Sequence, residues 1–206
     1  MLGMQYFNQG TKVLVYLASS DLFKTYYNLD PGRVQSIQAF TFLPWSLKIV
    51  YGLVSDNLPI FGTRRKSYLI IGAILQFVTM IVLGMQHMQN ETLACWMLFI
   101  SNLSIAFSDV IVDSLMVIQA RKYPETGAED LNSFSWTCMS FGGFFGAIAA
   151  AILTQRSEPH YCFMFSSVMG LVIATVASRL NVALEEDGRL RSLGLWADIQ
   201  RNFADI

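Results

Sequence analysis

The amino-acid sequence predicts an all-α membrane protein, six transmembrane helices arranged as a three-plus-three repeat. Three observations predict it. The 206 residues are 53% hydrophobic and only 14% charged, against about a quarter charged in soluble domains. Apolar stretches of bilayer-spanning length, about 17 to 25 residues, recur along the chain. Short gaps rich in turn formers separate them, and segments this long and apolar satisfy their backbone polar groups in lipid as helices.

The first span, Leu2–Phe23, is the least apolar, because Gln5, Asn8 and Gln9 dilute it, and it carries Lys12. "NLDPG" leads to the second, Val34–Val54, where Lys48 interrupts the apolar run "FLPWSLKIVYG". The gap "DNLPIFGTRRK" introduces the third, Tyr68–Gln86, and "QHMQNET" introduces the fourth, Leu93–Ala120, which carries Asp109 and Asp113. After "RKYPETGAEDLN" the fifth, Phe134–Leu153, contains "SFGGFFGAIAAAI". Gly142, Gly146 and Ala150 form a smooth stripe there for close helix contact, either as plain packing or as a sliding surface. "QRSEPH" precedes the sixth span, Tyr161–Leu180. Residues 1–182 thus make the bundle, and 183–206 read as a charged cytoplasmic linker with a short amphipathic helix. In each triplet of spans the first carries ionisable residues and the third is the cleanest apolar run, the signature of a repeated three-helix unit.

Orientation follows from the basic residues. Arg64, Arg65, Lys66, Arg121 and Lys122 share one side with Arg189, Arg191 and Arg201 of the tail; Lys24, Arg33 and Arg156 fall on the other. Both termini are therefore expected in the cytoplasm, with the Asn90-Glu91-Thr92 glycosylation sequon outside. Cys95, Cys138 and Cys162 form no paired framework and have no metal-ligand spacing. No phosphate-loop, zinc or nucleophile pattern is present, so neither a metal nor another cofactor is expected. The basic residues flank membrane spans, which argues against a nucleic-acid partner.

A charge at bilayer depth is costly and normally faces a cavity or a partner. At about 1.5 Å per residue, Lys12 and Asp109 lie near the midplane, whereas Lys48 and Asp113 lie about 10 Å from the cytoplasmic boundary. Two pairs of matched depth follow as expectations, Lys12 with Asp109 and Lys48 with Asp113. Lys48 could instead snorkel to the headgroups, and Asp113 could serve a gate. Asp109 and Asp113 are four residues apart and share one helix face, so a lysine or a proton must relieve their repulsion. Proton-coupled transport needs this chemistry, and so does a static ion pair. Such a face could also chelate Mg²⁺ and a diphosphate for membrane prenyl transfer, but no other span supplies a second acidic pair.

"GLVSDNLPIFGTRRKSYL" is similar to the loop between the second and third spans of the major facilitator superfamily. Together with "LPWSLKIVYG", "SDVIVDSLMV", "SWTCMSFGGFFGAI" and "YFNQG" it resembles the folate–biopterin transporter family, over about residues 5 to 182. The resemblance implies a carrier, not an enzyme, for a small-molecule substrate of the folate or pterin kind, working by proton-coupled alternating access. It implies a cytoplasmic gate at Asp56, Arg64 and Arg65, and cavity-lining roles for Lys48, Asp109 and Asp113. Aromatic stacking with a cation from Lys12 or Lys48 would hold the substrate. The family has about twelve spans, so these six would be the N-terminal half of a major-facilitator fold. They would need a second six-span half in the same or another chain, unless the chain is an accessory subunit.

Overall fold

A computed structural model describes residues 1–61, 63, 65–85, 90–121, 126–156 and 159–179. Arg64, Lys122, the 183–206 linker and its three arginines lie outside them, as does the side chain of Arg156. Among the described residues the regular structure is helical: α1 Leu2–Asp21, α2 Pro31–Phe42, α3 Lys48–Asn57, α4 Lys66–Gly84, α5 Glu91–Ala120, α6 Gly127–Arg156 and α7 His160–Ser178.

Local chemistry sets the helix ends. Asp30 caps α2, accepting a hydrogen bond from the Arg33 backbone N–H at 3.1 Å, with Pro31 at the first helical position, where its missing donor costs nothing. Asn28 before it takes a left-handed φ of 52°, a conformation asparagine tolerates. Asn90 of the sequon caps α5, accepting from Thr92 N–H at 3.0 Å, and Glu91 sits in the first turn beside the positive end of the helix dipole.

The expected second span is two helices. Between α2 and α3, residues Leu43–Leu47 form a 3₁₀ segment around Pro44, and the whole run Pro31–Asn57 is long and apolar enough to cross a membrane. It ends three residues beyond the expected boundary at Val54. Four more described helices meet the same condition of length and composition: Lys66–Gly84, Glu91–Ala120, Gly127–Thr154 and His160–Ser178. The α1 helix is not among these five, since Gln5, Asn8, Gln9, Lys12 and Asp21 lower its apolar content. The protein is an integral, multi-pass membrane protein.

Close helix contact rests on small residues. The α1 helix packs most extensively on α6, and α4 on α7. A Cβ on Gly10 would lie 2.0 Å from the Met139 carbonyl oxygen, and one on Gly142 would lie 2.1 Å from that of Phe7. Only hydrogen fits at either place. The α4–α7 contact uses Gly170 in the same way, with Phe77 N 2.9 Å from its would-be Cβ. Two apolar clusters result. One gathers Leu14, Phe23, Met80, Leu83 and Phe163 toward the Arg33 end of the molecule; the other gathers Tyr68, Leu69, Ile111 and Val112 toward the Asp56 end. The layer between them is polar.

Candidate functional site

The polar layer is built in part from residues that weaken the first span's apolar signal. Asn8 of α1 and Gln76 of α4 exchange two reciprocal amide hydrogen bonds of 3.1 Å, both side chains buried. Each therefore satisfies a donor and an acceptor of the other, which is how polar groups survive in an apolar bundle. Gln76 lies in the cleanest apolar run of the sequence. Asn102 of α5 accepts from Trp45 Nε1 at 3.3 Å, and Gln38 of α2 donates to Ser19 Oγ of α1 at 2.8 Å.

The charged residues pair differently from the depth expectation. Lys48 ion-pairs with Asp109, whose other carboxylate oxygen accepts from the Gln9 side chain. Asp113 instead accepts from the Tyr6 hydroxyl. The expected Lys48–Asp113 pair is therefore not formed. The reason is the length of α3: running to Asn57 instead of Val54, it carries Lys48 about one turn deeper, to the level of Asp109. The expected Lys12–Asp109 pair is also absent. Lys12 Nζ lies 3.9 Å from the centroid of Trp45 and 5.6 Å from that of Phe42. It makes no ion pair or hydrogen bond among the described residues. Trp45 stands between two cations, since Lys48 Nζ is 4.9 Å from the same ring.

Lys12 lines an open cleft of about 480 Å³ between α1, the 3₁₀ segment and α6, together with Gln9, Tyr16, Phe42, Trp45 and Trp136. Such a volume is that of a small-molecule pocket. Its wall thus sets four aromatic side chains beside one lysine that forms no ion pair among the described residues. Two polar atoms are buried without a partner among the described residues, Gln5 Oε1 and the Tyr51 hydroxyl.

At the Asp56 end, Arg65 lies 3.8 Å from Asp56, so two of the three expected gate residues meet; Arg64 lies outside the described residues. At the other end Arg33 of α2 ion-pairs with Glu91 of α5. Among the described residues no group of three His, Cys, Asp or Glu side chains could hold a metal. Sequence reasoning missed Tyr6, Gln9, Trp45 and Gln76. The first three stand in the quoted segments "YFNQG" and "LPWSLKIVYG", and the polar dilution of the first span was the signal that its side chains have partners.

Comparison with known proteins bears on the family of the chain. The chain is 32% identical over 166 residues to probable folate-biopterin transporter 4 of Arabidopsis thaliana, covering 80% of the chain and 34% of that protein. It is 31% identical over 185 residues to the folate-biopterin transporter of a Synechocystis strain, covering 88% and 37%. It is 37% identical over 169 residues to folate transporter 1 of Plasmodium falciparum, covering 81% and 33%. The chain thus spans about a third of the length of these curated relatives, all named as transporters. No solved structure matches it. Residues 9–201 match the BT1 family, and the chain belongs to that family.

Proposed function

We propose that the chain is the N-terminal half of a secondary transporter that carries folate- or pterin-type organic anions by proton-coupled alternating access. The observation that carries this reading is Lys12, which forms no ion pair among the described residues and stands at the wall of an aromatic cleft. A cation–π contact is worth about 0.5 to 2 kcal/mol, and a hydrogen bond to a charged group about 1.5 to 3. A substrate carboxylate therefore competes successfully for Lys12, and the ring released, Trp45, becomes free to stack on a pteridine. The names of the relatives support the substrate class.

In this reading α1 is a sixth span and the six form two units of three. The contact pattern supports it. Exchanging the first three spans for the last three maps α1 on α6 to α5 on α2 and α3, and α4 on α5 to α7 on α1, while α4 on α7 maps to itself; each of these contacts is present. The Asp56–Arg65 pair then serves as a cytoplasmic gate. Asp109 is the proton carrier, because protonation would release Lys48 to the cleft. A second six-span half, major-facilitator style, closes the cavity opposite Trp136, which is 61% exposed.

The test is binding of labelled folate and of biopterin to the chain in lipid vesicles, with Lys12→Met beside wild type. Binding by wild type, weakened at least tenfold by Lys12→Met, is expected. Equal binding by both proteins would sink the proposal. Uptake is then measured with the chain joined to a second half, with and without a pH gradient.

A further inference from the structure

The Gln9 side chain has one orientation. Its amide nitrogen donates to one carboxylate oxygen of Asp109, and a carboxylate held in an ion pair only accepts. Turning the amide over would set its carbonyl oxygen against that acceptor, so the flipped form is excluded. Lys48 holds the other oxygen of the same carboxylate. Lys48, Asp109 and Gln9 therefore alternate donor, acceptor and donor, and Gln9 Oε1 is left at the free end.

That oxygen is open to space. Gln9 is 7% exposed, and its Oε1 accepts no hydrogen bond from another described residue. The side-chain atoms buried without a partner among the described residues are Gln5 Oε1 and the Tyr51 hydroxyl, so Gln9 Oε1 is not sealed inside protein. The described cavity that Gln9 borders is the aromatic cleft beside Lys12. The other polar side chains there are less selective. Tyr16 and Ser140 carry hydroxyls, which donate or accept, whereas Lys12, Trp45 and Trp136 only donate. Among the described residues lining the cleft, Gln9 Oε1 is thus the one side-chain oxygen that can only accept.

We propose that Gln9 is a specificity-determining residue of the cleft, the acceptor for a ring amine of the flat substrate, and that Asp109 is the positioning residue that keeps it an acceptor. This rests on the transporter reading for the class of substrate and adds which edge of the ring is read. A pterin carries an amine on its pyrimidine edge, while its acidic end belongs to Lys12. A site built to bond an N–H rejects an analogue without it, because its own polar group is then left unpaired. An analogue with oxygen in place of the amine fares worst, since it sets acceptor against acceptor.

The role of Asp109 has its own signature. In Asp109→Asn, Lys48 can only donate and so takes the asparagine oxygen, which turns the asparagine nitrogen toward Gln9. Gln9 then meets that nitrogen with its oxygen and shows its own N–H to the cleft. The preference between amine and oxygen on the ring should change sign, which a mere loss of packing would not produce.

The test measures binding of pterin carboxylate and of lumazine carboxylate, its analogue with a carbonyl oxygen in place of the ring amine. Ligand fluorescence reports it, on the full chain in lipid nanodiscs. Wild type should bind the amine form about tenfold or more tighter. Gln9→Met, of similar length but without the amide, should bring the two affinities within about threefold of each other. Asp109→Asn should favour the oxo form by about threefold or more. Lys12→Met should weaken both probes alike and leave their ratio unchanged. Equal binding of both probes by wild type would overturn the proposal before any variant is made, and so would a wild-type ratio in folded Gln9→Met. A wild-type preference kept in Asp109→Asn would overturn the positioning role, and it carries the test of the amide if Gln9→Met does not fold. If wild type binds neither probe, the transporter reading of the cleft falls and the proposal with it. If it binds both without preference, that reading stands and the proposal alone falls.

Discussion

Asp109 is the residue on which three helices converge, with Gln9 of α1 on one carboxylate oxygen and Lys48 of α3 on the other. Removing one partner of a buried ion pair leaves a charge without compensation and costs about 3 to 5 kcal/mol, whereas removing both can be nearly neutral. The Lys48 side chain is 39% exposed, so the lower end of that range applies. Lys48→Met should therefore lower the thermal midpoint of the detergent-solubilised protein, and adding Asp109→Asn should restore at least half of the loss. Additive losses in the double variant would show that the two residues are not coupled. The four ionisable residues of this layer were legible, because a charge in an apolar run stands out against its background. Their pairing was not. It depends on where α3 ends and on Trp45 lying between the two lysines, and neither follows from counting residues along straight helices.

At the scale of the element, α1 and α6 are held together by absence of side chains. The would-be Cβ atoms of Gly10 and Gly142 lie 2.0 and 2.1 Å from backbone oxygens of the facing helix, whereas that of Gly143 lies 3.8 Å from Gly10 O. Overpacking costs about 1 to 3 kcal/mol when side chains can adjust, and backbone oxygens adjust less. Gly10→Ala and Gly142→Ala should each lower the melting temperature by roughly 5 °C or more, and Gly143→Ala by less than about 2 °C. Equal effects of the three alanines would refute the close contact. The α6 half of this interface was legible as the stripe of Gly142, Gly146 and Ala150. Gly10 was not, since a lone glycine in a polar stretch carries no periodic signal. The break at Pro44 was missed for a related reason: the 3₁₀ segment Leu43–Leu47 is as apolar as its flanks, so hydropathy runs through it unmarked.

The whole molecule poses the question of whether its least apolar helix crosses the bilayer. Hydropathy asks how well a helix dissolves in lipid, but α1 is surrounded by protein: it packs on α6, α7 and α5. Its polar residues Gln5, Asn8, Gln9 and Thr11 are all buried, and among them Asn8, Gln9 and Thr11 have hydrogen-bond partners within the bundle. A helix whose polar side faces other helices need present to lipid only its remaining surface, which here includes Leu17. The proposed topology then places the N-terminus and Asp56 on the cytoplasmic side and Arg33 on the other. In sealed, oriented vesicles, an epitope tag before Met1 and a cysteine replacing Asp56 should be reached from the cytoplasmic face alone. A cysteine replacing Arg33 should be reached from the opposite face alone, by a membrane-impermeant thiol reagent on a background lacking Cys95, Cys138 and Cys162. If α1 does not cross, the tag must share a side with Arg33, and that result would leave five spans with no place for a three-plus-three repeat. The expected result would make Lys12 a charge near the middle of the bilayer, at the wall of the aromatic cleft.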